Sequence, residues 1–315
     1  MLMSEAIEKY VRYKEGLGEK PRVKKYVLLS FGKYVGLSMQ LDCVAERSCS
    51  EYLHQKGFKS NVATQYWFCI YSILEGFFNW AISRGHMSHM PLPTSKPCKP
   101  KDFRPYIYTN AELESLFKTA LNYRKRCNIM HPYVIQTMLK VTYCLGLRPS
   151  ETVSLQVIDI DFEAKTVLIE ETKFYKSRLL PFGIEVESVL RNYMQWRNKV
   201  AKEQGLTSDC LFFDKRNNQV KLSALQAAFR LICKTANVSR NDKERSDVQL
   251  QDLRHTFATN RIIQWYKEGK DVQLLLPVLS TYLGHCNIDS TATYISFTPE
   301  LQKEASLKFQ KYAES

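Results

Sequence analysis

A proline-rich segment in the first third of the chain limits what this sequence can fold into. Five prolines lie between residues 85 and 105, and apolar residues show no periodicity there. Proline has no N–H group and a fixed φ, so the segment suits neither a helix interior nor a central strand. It favours an extended chain of about 3.1 Å per residue instead. The sequence therefore predicts two domains, residues 1–90 and 106–315, joined by a linker at 91–105.

The net charge indicates a polyanionic partner. The 315 residues contain 45 Lys and Arg against 32 Asp and Glu, a net charge of +13. Residues 1–105 carry +7 and the remainder +6, so both domains are basic and double-stranded DNA is the expected partner. The basic linker is interpreted either as a solvated spacer or as a strap along a phosphate backbone. Its candidate DNA contacts are Lys96, Lys99, Lys101 and Arg104.

Cysteine and histidine provide no pattern for a metal site. The nine cysteines lie far apart without a CxxC pair, which indicates small buried hydrophobes in a reducing cytoplasm. His54, His86, His89 and His131 show no ligand spacing. No apolar run reaches the about 18 residues of a membrane span, and the charged start is unlike a secretion signal. The expected location is the cytoplasm, on DNA.

Residues 4–84 show helical periodicity. Ser4 is predicted to cap a first helix, Pro21 to open a second, and Ser60 to cap a long third that ends near Gly85. The long helix carries six aromatic residues, which we expect in the core, with base stacking as the alternative. They are Tyr66, Trp67, Phe68, Phe77, Phe78 and Trp80.

The second part is predicted to be mostly helical with one small antiparallel sheet. Thr109 is predicted to cap a helix through about residue 123, and residues 131–145 form a buried helix. Strand-like runs follow at 157–162, 166–170 and 178–182. Further helices are predicted at 185–203, 223–236, 252–267, 274–283 and 299–312. The whole chain is thus expected to be mainly α with a small antiparallel β-sheet.

Four short segments of the second part combine residue types suited to phosphate chemistry. They are GLRPSE at 146–151, a lysine-bearing hairpin turn at 171–181, QDLRH at 251–255, and LGH at 283–285 with Tyr294 nine residues later. Each segment is ordinary on its own. GLRPSE could be a helix N-terminus with a local ion pair, and lysine is common in hairpin turns.

The ordered set resembles the tyrosine recombinases of the phage-integrase and Xer type. That pattern is an arginine in G-L-R-x-x-E, a lysine on a β-hairpin, H-x-x-R-H, L-G-H and a later tyrosine. The resemblance covers nearly the whole chain. It implies a helical, SAM-like core-binding domain at the N-terminus, followed by a tyrosine-recombinase catalytic domain with a C-terminal exchange helix.

The resemblance also assigns roles to individual residues. Arg148 and Arg254 are expected to hold the scissile phosphate, and Tyr294 to be the nucleophile that forms a 3′-phosphotyrosine. Lys173 would protonate the departing 5′-oxygen. Two further assignments complete the set: His285 would hydrogen-bond the phosphate or the tyrosine oxygen, and Glu151 would orient the site.

Elementary chemistry agrees with these roles. Arginine binds phosphate oxygens with paired hydrogen bonds and stays charged at any working pH. A tyrosine with a pKa of about 10 needs help to lose its proton before it attacks phosphorus. Because arginines replace a cation and the phosphotyrosine retains the bond energy, no metal, ATP or other cofactor is expected.

Two features depart from the family pattern. Gln251 stands where the family usually has histidine, and an amide can donate a hydrogen bond but cannot shuttle a proton. Glutamine could keep the contact with activity retained, or activity could be slowed or lost. The 31 residues from Arg254 to His285 are also more than compact members have, and an extra loop is expected at 266–278.

The resemblance implies recombination by a tetramer on two DNA sites, with accessory recombination proteins as candidate further partners. Apolar residues after Tyr294 recur at helical spacing, and this tail could pack on its own domain or dock on a neighbouring subunit. The predicted function is a site-specific DNA recombinase or integrase, of a mobile element or phage. The alternatives are a non-catalytic DNA-binding accessory relative and a relaxing enzyme of the type IB topoisomerase kind.

Overall fold

The computed structural model describes most of the chain in two compact units. The described residues are 1–19, 21–59, 62–99, 105–123, 130–170, 177–205, 208–240 and 247–285, with 291, 294 and 306. The first unit is formed by residues 1–99 and the second by the described residues from 105 onward. None of the described helices has the length and apolar character needed to cross a membrane.

The described part of the first unit contains four α-helices. They are α1 Met3–Gly16, α2 Arg22–Val35, α3 Glu46–Gly57 and α4 Gln65–Ser83, with a short antiparallel pair of strands, β1 Phe58–Lys59 and β2 Val62–Ala63, between the last two helices. Their apolar faces enclose one core. Of the aromatic residues in α4, Trp67, Phe77 and Phe78 are buried in this core, whereas Tyr66 is exposed. Core packing therefore accounts for most of the aromatic residues.

Pro21 directly precedes α2 as predicted, whereas the other two predicted helix starts of the first unit are wrong. The first helix begins at Met3, because the carboxylate of Glu5 accepts a hydrogen bond from the Leu2 N–H and satisfies this end without a hydroxyl cap. Ser4 thus lies inside the helix. The long helix begins at Gln65 after Thr64, and Ser60 lies outside the described residues. Helix α3 was not predicted, since its buried face has few strongly apolar residues.

The first part of the proline-rich segment packs on the first unit. Leu92 is buried, and the Tyr71 hydroxyl donates a hydrogen bond to the Pro93 carbonyl at 3.0 Å. Lys96 extends over the Tyr71 ring, with 4.2 Å from its Nζ to the ring centroid. These contacts hold residues 92–96 against α4.

The second unit is helical with a three-stranded antiparallel sheet. Its described helices are α5 Asn110–Leu121, α6 Pro132–Cys144, α7 Pro149–Ser154, α8 Ile184–Gln204, α9 Leu222–Thr235, α10 Asp252–Lys267 and α11 Val272–Leu283. The strands are β3 Ile160–Asp161, β4 Thr166–Ile169 and β5 Arg178–Pro181, in the order β3-β4-β5. The predicted fold class, mainly α with a small antiparallel sheet, is confirmed.

Helix α6 lies at the centre of the second unit. It packs against α5, α7, α8 and α10, and its apolar residues are buried on several sides. Gly146 ends the helix with φ +60°, and a Cβ at this position would lie 2.4 Å from the Phe257 ring. Only glycine tolerates both the left-handed backbone and the close approach. This turn directs the chain into α7 and places Arg148 at its start.

The expected loop at 266–278 is wrong. Helix α10 continues to Lys267 and α11 already begins at Val272, so residues 268–271 alone connect them. The Asp271 carboxylate accepts hydrogen bonds from the first N–H groups of α11. Pro277 lies inside α11, within the helix predicted at 274–283, and Leu276, Leu279 and Leu283 are buried in an apolar cluster with α10. Tertiary packing outweighs the helix-breaking tendency of the proline.

Candidate active site

Three arginine side chains converge on the C-terminal end of α11. Arg178 Nε donates to the carbonyl of residue 282 at 2.9 Å, Arg254 Nη2 to that of 283 at 2.6 Å, and Arg148 Nη2 to that of 284 at 2.8 Å. The last carbonyls of a helix lack intrahelical partners and carry partial negative charge. The three guanidinium groups thus satisfy this helix end and are held close together by it.

These arginines come from separate parts of the second unit. Arg148 precedes the first turn of α7, Arg178 begins β5, and Arg254 lies in the first turn of α10. Arg254 is 1% exposed, and its Nη1 also donates to the Gly146 carbonyl at 2.9 Å. Burial, and then repulsion by Arg148, lowers the pKa of Arg254 to about 10. Its guanidinium therefore remains charged at neutral pH.

The Glu151 carboxylate links the arginines. It accepts hydrogen bonds from Arg148 Nη1 at 2.7 Å and from both terminal nitrogens of Arg178 at 3.1 and 2.8 Å, and Arg254 Nη1 lies at 3.8 Å. Burial alone would raise the pKa of Glu151, but the Arg178 and Arg148 contacts hold it below its usual value. One negative charge facing three positive charges leaves an excess suited to a phosphate anion.

Tyr294 is buried beside this cluster. It is 2% exposed, and its hydroxyl lies 3.0 Å from His255 Nδ1. Burial raises the pKa of Tyr294 above the ordinary phenol value, while the positive charges of Arg254 and Arg148 oppose that rise. The arginines therefore favour the phenolate in a site that otherwise disfavours it.

His285 lies beside the Tyr294 ring, and Gln251 lies at the start of α10. His285 Nδ1 lies 2.7 Å from the hydroxyl of Thr291, and the His285 and Tyr294 ring centroids are 6.1 Å apart. Burial, with Arg254 and Arg148 nearby, lowers the pKa of His285 to about 4, so the ring is neutral at pH 7. Gln251 precedes α10 and is half-buried.

The structure brings together five of the predicted site residues: Arg148, Glu151, Arg254, His285 and Tyr294. The predicted Lys173 lies outside the described residues, as do Lys101 and Arg104. No group of carboxylate, histidine and cysteine side chains within the described ranges is arranged to hold a metal ion.

The linker lysines that are described differ in their surroundings. Lys96 Nζ lies 3.2 Å from the carboxylate of Glu75, whereas Lys99 is exposed. An exposed ion pair with carboxylate is weak. Lys96 therefore has a weak ion pair within the first unit, and the DNA contacts of Lys96 and Lys99 stay predictions.

Arg178 and His255 also belong to the site, but the sequence did not predict a role for either residue. Arg178 lies in a strand of ordinary appearance, and its role depends on residues 27 and 104 positions away. His255 follows Arg254 directly, but neighbouring helical residues point about 100° apart, so adjacency implied no common contact. For His255 the available signal was its place in the QDLRH segment.

We predict that Glu151→Gln destabilises the second unit by about 1.5–3 kcal/mol at neutral pH, because charge-assisted hydrogen bonds to two arginines are lost. The folded-state pKa of Glu151 is lowered, so its contribution is complete above the ordinary carboxyl value of 4.5 and is lost as pH falls through the folded value. Denaturant unfolding at pH 7 and at pH 3 measures this difference.

The matched control for that variant is Glu51→Gln, which removes an exposed carboxylate paired with Arg47. Exposed pairs contribute little, so its unfolding midpoint is expected to match the wild type. A Glu151→Gln protein with the wild-type midpoint at both pH values would contradict the role of Glu151 in holding the arginines.

The relatives of this chain are integrases and recombinases. The Phage integrase family pattern matches residues 108–300. A candidate integrase/recombinase of Sinorhizobium fredii, y4rB, is 28% identical over 310 residues, covering 98% of this chain and 96% of that protein. The tyrosine recombinase XerC of Anoxybacillus flavithermus is 27% identical over 235 residues, covering 73% of this chain and 70% of XerC.

Solved structures of two integrases share the fold. The Tn1549 transposon integrase in complex with a circular intermediate DNA matches with a TM-score of 0.71 at 16% identity, over 99% of each chain. A lambda integrase dimer bound to a COC′ core site matches with a TM-score of 0.64 at 14% identity, over 93% of this chain and 77% of that one. With the family pattern spanning more than half of its length, the chain belongs to the phage integrase family and is a tyrosine-type site-specific recombinase.

Proposed function

We propose that this recombinase cuts and rejoins DNA through a covalent bond between Tyr294 and a 3′-phosphate. The observation that carries the proposal is the buried Tyr294 hydroxyl beside a cluster with excess positive charge. A phenol placed next to paired arginines can attack a phosphodiester that those arginines hold.

The proposed reaction has two balanced steps. The Tyr294 oxygen forms a bond to phosphorus, the bond from phosphorus to the 5′-oxygen breaks, and the phenol loses its proton while the 5′-oxygen gains one. We propose that Lys173 donates the proton that the 5′-oxygen gains. A 5′-hydroxyl from a partner duplex then attacks the phosphotyrosine and releases the phenol. One phosphodiester replaces another, so the strand exchange needs no external energy source.

Arg148 and Arg254 are proposed to bind the non-bridging phosphate oxygens. Negative charge accumulates on these oxygens when phosphorus is attacked, and fixed guanidinium groups stabilise it without reorganisation. Hydrogen bonds to the last two carbonyls of α11 and to the carbonyl of residue 284 fix the cluster before DNA binds. We propose that Glu151 and Arg178 act only through this positioning.

Double-stranded DNA is the proposed substrate. The net charge of +13 supports this, and so do the DNA complexes of the Tn1549 and lambda integrases. Phosphate contacts by Lys and Arg release counterions, so binding should weaken steeply as salt rises. We also propose that the chain serves a mobile element, in line with its similarity to a transposon integrase.

A tetramer on two DNA sites is proposed as the active assembly. A groove of about 870 Å³ lies in the second unit between α6, α10 and α11, with Phe257, Trp265 and Val278 among its lining residues. Val278 is 60% exposed there. The apolar residues of the tail, Leu301, Ala305, Phe309 and Tyr312, are suited to fill such a groove on a neighbouring subunit.

We predict that removing residues 300–315 prevents the tetramer from forming and leaves binding to a single DNA site intact. The reason is that the tail would supply the apolar contact between subunits, whereas the basic surfaces of both units remain. Mass photometry of the DNA complexes distinguishes the tetramer on two duplexes from the protein bound to a single site. A truncated chain that still assembles as four copies on two duplexes would place the tail on its own subunit.

The covalent intermediate gives the direct test of the function. The protein is incubated with nicked duplexes made from the DNA that flanks its own gene, and detergent-resistant adducts are isolated. We expect an adduct in which nuclease digestion and peptide mass spectrometry locate the nucleotide on Tyr294. Salt-sensitive binding without an adduct would favour the accessory relative, for which Gln251 in place of the family histidine is the supporting observation.

A further inference from the structure

The His255 ring lies within hydrogen-bond distance of the Tyr294 hydroxyl, to which the Arg254 side chain also donates. Its Nδ1 lies 3.0 Å from the Tyr294 hydroxyl, a hydrogen-bond distance, and the two ring centroids are 5.5 Å apart. His255 lies in the first part of α10, next to Arg254. The same helix therefore presents both an arginine and an imidazole to the phenol.

Two other residues could have been expected to take this position. His285 Nδ1 is 2.7 Å from the Thr291 hydroxyl, so that nitrogen is directed to threonine. Gln251 has an amide side chain, which cannot accept a proton at neutral pH. The chain thus has glutamine at the first histidine position of H-x-x-R-H and retains the second histidine, His255.

We propose that His255 accepts the proton of Tyr294 as the phenol attacks the DNA phosphate. The inference rests on the proposed phosphotyrosine chemistry and names the base for it. The bond from the Tyr294 oxygen to phosphorus forms as the O–H bond breaks, and the proton moves to His255 Nδ1. The 5′-oxygen leaves phosphorus and takes its proton from Lys173, the donor named in the proposed function.

The electrostatics of the pocket keep His255 neutral before the reaction. Burial, followed by the charge of Arg254, lowers the pKa of His255 to about 4, and the same effects weaken the ring as a base until DNA binds. A phosphate bound between the arginines adds negative charge, which favours the imidazolium that forms. The other titratable groups facing the pair are His285, Arg148, Arg178 and Arg254.

The variants His255→Asn and His255→Gln separate proton transfer from positioning. Their amides place a hydrogen-bonding atom near Nδ1 or Nε2 of the ring but do not act as bases. We expect single-turnover cleavage at pH 7 to fall about 10²-fold. Its rate should then rise about tenfold per pH unit between pH 7 and 9, where the wild type is flat, because hydroxide must generate the phenolate.

Leaving-group chemistry provides a second readout. A nicked duplex with sulfur at the 5′-bridging position releases a thiolate, which needs no proton. This substrate should restore cleavage by Lys173→Ala but not by His255→Asn, because the phenol must still lose its proton. The matched control is His89→Asn, which changes an exposed histidine of the first unit and should cleave at the wild-type rate.

The outcomes separate this inference from the proposed function. A wild-type protein that forms no adduct contradicts both. In a second outcome the wild type forms the adduct while the His255→Asn cleavage rate is unchanged, or is lowered equally at every pH. That result overturns the role of His255 and leaves the proposed function standing. Restoration of that variant by the sulfur substrate would assign His255 to the leaving group. Melting temperature and DNA affinity confirm that each variant is folded, and the glutamine variant repeats the comparison if asparagine unfolds the chain.

Discussion

Tyr294→Phe will abolish the covalent DNA adduct and leave noncovalent DNA binding near its wild-type strength. Removing the hydroxyl deletes the nucleophile and keeps the ring that fills the pocket beside His255 and Arg254. The loss of cleavage should be at least about 10⁴-fold, the scale on which enzymes lose activity without their nucleophile. Denaturing gels of reactions with nicked duplexes measure the adduct, and gel shift under native conditions measures binding.

Tyr133→Phe provides the matched control. This tyrosine also belongs to the second unit and packs against Trp196, away from the arginine cluster. The adduct should form at the wild-type rate in that variant. An adduct that persists in Tyr294→Phe would show that another side chain attacks the DNA, and would contradict the assignment of Tyr294.

Arg254→Lys will slow cleavage by about 10²–10³-fold, the range found when a preorganised donor to a developing oxyanion is removed. Lysine keeps the positive charge but lacks the planar fork. Arg254 uses two nitrogens to reach the Gly146 and Leu283 carbonyls, so a single ammonium cannot hold both and bind phosphate in the same geometry. Single-turnover cleavage of a nicked duplex measures the effect.

DNA affinity distinguishes a catalytic role for Arg254 from a general one. Because lysine retains the charge, the salt dependence of DNA binding should change little. Arg47→Lys, at a side chain that is 90% exposed, controls for the substitution itself and should cleave normally. If Arg254→Lys cleaves DNA at the wild-type rate, a positive charge at this position is sufficient for cleavage. The hydrogen bonds from Arg254 to the Gly146 and Leu283 carbonyls would then not be required.

The sequence by itself determined the class of fold and the family. Apolar spacing predicted helices at 131–145 and 252–267 close to the bounds of α6 and α10, because the face a helix buries is encoded locally. The motifs around Arg148, Arg254, His285 and Tyr294 were recognisable because their order and spacing can be read directly from the sequence. Helix caps were less predictable: the carboxylate of Glu5 replaced the expected hydroxyl of Ser4.

Only the tertiary structure decided how these residues meet. The long spacing from Arg254 to His285 pointed to a loop at 266–278, yet most of that segment is helical. Packing against α10 stabilises α11, and the end of α11 gathers Arg148, Arg178 and Arg254. Whether His255 or His285 faces the phenol likewise depends on the packing of segments 39 residues apart. Hydrogen bonds between distant segments follow from three-dimensional packing, which no local pattern of residues records.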